Sequence, residues 1–121
     1  MADSNVEMNL RMARGDVLMF PFVFYIGSDV YTEEPDNIYF TVKKHHYERL
    51  PLLQKTLQDG GIVGDDQGTY VVTINPEDTN EWQLGVYEYD IEVVKMPNIK
   101  KTFVGTLEVT KEVTHYYNEE G

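Results

Sequence analysis

The chain has 121 residues, enough for one hydrophobic core and too few for two well-stabilised ones, so a single domain is expected. Hydrophobic residues make up 41% and charged residues 26%, a globular balance rather than that of a disordered, collagenous or membrane chain. Ten Lys and Arg against 21 Asp and Glu give a net charge of −11, which disfavours direct nucleic-acid binding, and the lack of cysteine excludes thiol catalysis, disulfides and cysteine-ligated metals.

Alanine occurs only at positions 2 and 13, while Val, Ile, Thr and the aromatics supply more than a third of the chain, which favours strands over helices. Val6, Met8 and Leu10 suggest a first edge strand or a flexible arm over residues 1–13, and Asp3 and Glu7 there leave no basic lead into a secretory signal, so synthesis in the cytosol is expected. The longest apolar run, residues 17–26, is too short to span a membrane. Within it, the near-continuous apolar character of residues 17–25 predicts a strand buried on both faces, with Pro21 marking an edge, a bulge or a change of sheet.

Farther on, Ile38, Phe40 and Val42 alternate with Tyr39 and Thr41, and Tyr70, Val72 and Ile74 with Val71 and Thr73, so both segments read as half-buried strands. Leu53, Lys55 and Leu57 suggest another, followed by a short Ile62-Val63 piece between glycine-rich turns. Asn75-Pro76-Glu77-Asp78 is a helix start: Asn75 can cap, Pro76 suits the first position and Asp78 can bond back, but Gly85 limits the helix to about one turn. The clearest strand is residues 85–94, where Tyr87, Tyr89, Ile91 and Val93 alternate with Glu88, Asp90 and Glu92. Met96-Pro97-Asn98 then supplies a turn into an antiparallel partner over residues 103–110.

Six to eight short strands with one helical turn between two of them predict an all-β, antiparallel β-sandwich spanning residues 14–114, with residues 115–121 as a tail. Gly85-Val86-Tyr87-Glu88-Tyr89 makes it immunoglobulin-like. It matches the Gly-x-Tyr-x-Cys of a tyrosine corner, with Tyr89 in the place of the inter-sheet cysteine. An aromatic ring there fills the inter-sheet space by burial alone.

The order of these motifs resembles a group of small phage and prophage proteins with an immunoglobulin-like sandwich, including the N-terminal domain of upper baseplate proteins. The residues that carry the resemblance are Arg14-Gly15-Asp16 before an apolar strand, Ile38-Tyr39-Phe40-Thr41-Val42-Lys43-Lys44, Asn75-Pro76-Glu77-Asp78-Thr79, Leu84-Gly85-Val86-Tyr87-Glu88-Tyr89-Asp90-Ile91, and Gly105-Thr106-Leu107-Glu108-Val109-Thr110 with Val113-Thr114. The acidic, tyrosine-containing stretch 27–37 departs from the usual polar turn between the first two strands. The resemblance implies a non-catalytic structural or adaptor protein of tail, baseplate or head. It would be located in the virion and, during assembly, in the host cytoplasm, with other phage virion proteins and copies of itself as partners.

The residues give little for catalysis. Ser4 and Ser28 lack a nucleophile elbow, the glycines at 60, 61 and 64 are not followed by a lysine and a helix, and Asp65-Asp66-Gln67 lacks calcium-loop spacing. His45 and His46 on an extended backbone point to opposite faces, which disfavours a shared metal with Glu48 or His115. No catalytic, cofactor or metal residues are therefore assigned, and paired acids for glycoside hydrolysis cannot be picked out of 21.

Two surface features remain as partner-binding candidates. Lys43, Lys44, His45, His46 and Tyr47 form the one basic cluster, suited to a negative partner surface. Glu88, Asp90 and Glu92 space three carboxylates at roughly 6.5 to 7 Å along one strand face. That is close to the separation of successive phosphates, so the alternative function is an acidic nucleic-acid mimic inhibiting a host defence complex in the anti-CRISPR manner. Tyr116 and Tyr117 in the tail would suit an intersubunit contact. A carbohydrate-binding or hydrolytic accessory module is the weakest of the three readings.

Overall fold

The computed structural model describes residues 8–97 and 99–112, and the expectations placed on Val6, His115, Tyr116 and Tyr117 lie outside the described residues. In chain order the elements are β1 (Met8–Ala13), β2 (Leu18–Phe22), β3 (Tyr25–Ile26), β4 (Asp29–Val30), β5 (Asn37–Lys43), β6 (Leu53–Thr56), β7 (Ile62–Gly64), β8 (Tyr70–Ile74), α1 (Pro76–Thr79), β9 (Gly85–Lys95) and β10 (Ile99–Thr110). One sheet has the order β1-β10-β9-β5-β6 and the other β2-β8-β7, with β3 and β4 forming a separate hairpin.

Period-two alternation puts the core where the sequence predicts it. Tyr87, Tyr89, Ile91 and Val93 of β9 are at most 4% exposed, and Ile38, Phe40 and Val42 of β5 are fully buried beside them. From the second sheet Phe20, Phe22, Val72 and Ile74 close over this layer. Each such side chain contributes about 1.5–3 kcal/mol relative to exposure.

Two expectations are corrected. Residues 17–25 are not buried on both faces: Phe20, Phe22 and Phe24 point inward, while Met19, Val23 and Tyr25 are 40–62% exposed and Pro21 is exposed too. The run is apolar on both faces because its outer face is apolar and bare, and β2 is a sheet edge, where the missing amide of Pro21 costs no ladder bond. The second concerns strand direction. Pairings in both sheets are antiparallel except β1 with β10, which is parallel from Met8↔Gly105 to Ala13↔Thr110. A long crossover joins the two, as parallel neighbours require. Met8–Ala13 is an edge strand of the larger sheet, one of the two alternatives expected for this segment, but its direction is parallel.

The single helical turn sits between β8 and β9. Asn75 is its cap residue, Pro76 opens it, and the Asn75 amide donates to Asp78 Oδ2 at 2.7 Å. Asp78 also pairs with Lys55 Nζ at 2.8 Å, and the fully buried Thr79 accepts from the Gly15 amide at 2.9 Å, so the turn ties β6 and the β1–β2 connection together. Immediately beyond it the Tyr87 hydroxyl donates back to the Gln83 carbonyl, which is the bond that defines a tyrosine corner. In the strand order of immunoglobulin domains, β2, β8 and β7 occupy B, E and D, while β5, β9 and β10 occupy C, F and G with β6 as C′. The protein is an immunoglobulin-like β-sandwich.

Where such domains hold a B–F disulfide against a tryptophan of strand C, three rings stand here. Phe20 and Phe40 meet edge to face at 5.5 Å, Phe40 and Tyr89 at 5.3 Å, and Phe20 and Tyr89 at 6.3 Å. Tyr89 does more than fill space: its hydroxyl donates to the Met8 carbonyl at 2.8 Å and so holds edge strand β1 from beneath. The ring passes under Gly105, where an added Cβ would lie 2.1 Å from the Met8 oxygen and 2.7 Å from the Tyr89 hydroxyl.

Tyr89→Phe therefore costs about 1 kcal/mol and speeds amide exchange in β1 alone, whereas Gly105→Ala, which must displace backbone or ring, costs about 1–3 kcal/mol. Urea melts with residue-resolved hydrogen exchange distinguish the two. Burial pushes the Tyr89 phenol up to about 12 from 10.0. The raised value means that the folded state holds its proton more tightly, so this contribution is complete below pH 10 and disappears as pH climbs to about 12. An alkaline stability profile of wild type against Tyr89→Phe reads it directly.

Candidate functional site

The outer face of the larger sheet is built by the residues that alternate with the core. Register places Asp90 of β9 between Thr41 of β5 and Val104 of β10, and Glu88 between Lys43 and Thr106. The chain leaves β5 through a tight turn in which the Glu48 amide donates to the His45 carbonyl at 3.0 Å, and this folds the histidines back over the sheet. Lys43, Lys44, His45 and His46 thereby share one cleft of about 420 Å³ with Glu88 and Asp90, floored by Thr41, Val104 and Thr106.

The basic cluster and the acidic row, 42 residues apart for His46 and Glu88, meet in direct contact. His46 Nδ1 lies 2.8 Å from Glu88 Oε1, and the His46 amide donates to the same oxygen at 3.1 Å. Lys43 donates to the Glu48 carbonyl at 2.6 Å, and Lys44 stands 4.5 Å from the centre of the Tyr87 ring. Both ammonium groups are thus turned onto the protein's own surface. Tyr47 is largely exposed and stacks on His45 at 5.1 Å.

The carboxylate row is likewise not three free charges. Glu88 Oε1 is in hydrogen-bond contact with the His46 amide and ring, Glu92 pairs with Lys100 at 3.5 Å, and Asp90 makes no ion pair within 4 Å among the described residues. Partial burial pushes the Asp90 carboxyl above its ordinary 3.8, the neighbouring Glu92 pushes it further, and Lys43 pulls back. The site thus offers one poorly solvated acid in a cleft with apolar Val86 and Val104, which are 51% and 48% exposed, and basic groups on its rim.

Thr41, Val86, Val104 and Thr106 were not predicted as site residues. Their signal was the same alternation that revealed the core, but using it required knowing that β10 and β5 flank β9 on either side. Among the described residues no three His, Asp or Glu side chains converge in a way that could hold a metal ion. Ser28 lies in the exposed two-residue turn of the β3–β4 hairpin, away from this cleft. No helix among the described residues is long and apolar enough to cross a membrane.

No family model and no curated protein matches the chain. Among solved structures, the first immunoglobulin-like domain of human CD48 antigen is similar at 14% identity, covering 95% of this chain and 93% of that one, with a TM-score of 0.42. The fold rests on the strand order and the tyrosine corner rather than on that likeness.

The raised Asp90 value makes a pH-dependent prediction. Folding favours its protonated form, so Asp90 is harmless to stability below the unfolded value of 3.8 and unfavourable once pH rises past its folded value. Asp90→Asn is therefore expected to raise Tm at pH 7 and to leave it unchanged near pH 3. Calorimetry at the two pH values checks this.

Proposed function

We propose that the chain is a non-catalytic protein-binding module that works through the outer face of its larger sheet, as a structural or adaptor protein of a phage or prophage particle. The observation that carries the reading is the convergence of Lys43, His46, Glu88 and Asp90 on one open cleft with exposed Val104. Both signs of charge set around an apolar patch give register and partner choice at a protein interface. The particle setting rests on the motif resemblance across residues 14–114.

The nucleic-acid-mimic alternative draws less support, because Glu88 is already hydrogen-bonded to His46 and Glu92 lies 3.5 Å from Lys100. Mass spectrometry of purified particles is expected to find the chain at fixed stoichiometry, and its absence from particles removes the virion role. Within an assembly assay, Lys43→Glu with Asp90→Lys is expected to weaken incorporation roughly tenfold or more, since like charges set against each other cost several kcal/mol. Incorporation at the wild-type level would exclude this face.

A further inference from the structure

The outer face of the smaller sheet is unlike the rest of the surface. Register stacks Met19 beside Thr73, and Pro21, Val71 and Val63 in one row, with Val23 at the end of β2. Met19 is 62% exposed, Val63 60% and Val23 40%. None of these six side chains carries a charge, although the chain as a whole is at −11. An ordinary half-buried sheet turns polar residues to solvent on this side.

We propose that this face is the interface of a dimer of two copies of the chain, packed back to back through β2, β8 and β7. Charge and area together select a second copy as the occupant. A partner of opposite charge would be drawn to the carboxylates elsewhere on the molecule, whereas a neutral face gives it nothing to recognise. For two identical chains of charge −11 the neutral face is the least repulsive approach. Back-to-back packing leaves the rows holding Glu88, Asp90 and Glu92 on opposite outsides of four stacked sheets. At about 10 Å per sheet spacing they stand roughly 30 Å apart, several Debye lengths at physiological salt.

A two-fold axis through the middle row brings the same apolar patch against itself, as an isologous contact requires. The bare side chains on this face are few, chiefly Met19, Pro21, Val23 and Val63, so a pair buries at most about 1,000 Å², the lower bound for a specific interface and the size of a weak, reversible dimer. β2 cannot instead extend its sheet edge to edge over its whole length, because Pro21 has no amide to donate. Face-to-face contact is the mode left to it. This inference is independent of the binding role given to the opposite face, and either can fail without the other.

Sedimentation equilibrium of the full chain tests it. The apparent mass is expected to rise from 14.0 kDa toward twice that value as concentration is raised to about a millimolar, and to rise further with added salt, which screens the repulsion between copies. Met19→Lys with Val63→Lys is expected to hold the protein at the monomer mass, with an unchanged near-UV spectrum showing that it is folded. Lysine is the informative choice because it lowers the net negative charge, so loss of the dimer cannot be ascribed to added overall repulsion. Val104→Lys, on the opposite face, is expected to leave the dimer intact. A constant monomer mass at every concentration overturns the proposal. So does a dimer that survives the lysine pair, one abolished by Val104→Lys, or one that appears only after residues 113–121 are removed, which would make the chain's own tail the occupant.

Discussion

Everything in this fold depends on how two sheets are held together without a covalent pin. The chain has no cysteine, so the Phe20, Phe40 and Tyr89 triangle must do by ring burial and by one edge-to-face and two tilted ring contacts what a disulfide against tryptophan does in related architectures. Tyrosine at position 89 has a role that phenylalanine would lack. Its hydroxyl reaches beneath Gly105 to the Met8 carbonyl, so the inter-sheet anchor also fastens the one parallel strand. The two glycines of β10's neighbourhood differ accordingly: Gly105 is required by a close approach of ring and backbone, whereas Gly85 is required by its φ of +144° at the corner.

With the core closed by these rings, the two outer faces differ in character. On the larger sheet, side chains of both signs are engaged with one another, leaving Asp90 as the acid without an ion-pair partner among the described residues. On the smaller sheet the exposed residues are apolar and uncharged. Neither the bare apolar face nor Asp90 takes part in the ring contacts that hold the two sheets together.

Most of the fold was legible because period-two alternation is a local signal. Strands β5, β8, β9 and β10, the capping residues of α1 and the tyrosine corner all follow from residues within ten positions of one another. The β3–β4 hairpin was missed although Gly27-Ser28 between two apolar-containing pairs is a Gly-first two-residue turn, a signal masked by reading residues 17–25 as one long strand. The parallel direction of β1 was not legible at all, since it depends on the Tyr89 and Gly105 contact across 81 and 97 residues. The site was half legible for the same reason: its polar residues could be named singly, but their contact with one another arises from a turn after β5 that brings His46 onto Glu88.

The arrangement of faces has a consequence for binding strength. The candidate cleft, about 420 Å³, would offer a partner one contact per copy. If two copies join through β2, β8 and β7, the two clefts point away from each other on opposite sides of the pair. A partner displayed repeatedly, as on any symmetric assembly, would then meet two sites per particle, and the second contact would form at an effective concentration set by geometry rather than by bulk concentration. Opposed clefts cannot both engage one flat partner, so the gain is available only to partners that lie on either side of the pair. A bridging part of a larger assembly has that geometry, and an inhibitor that caps one groove has no use for it.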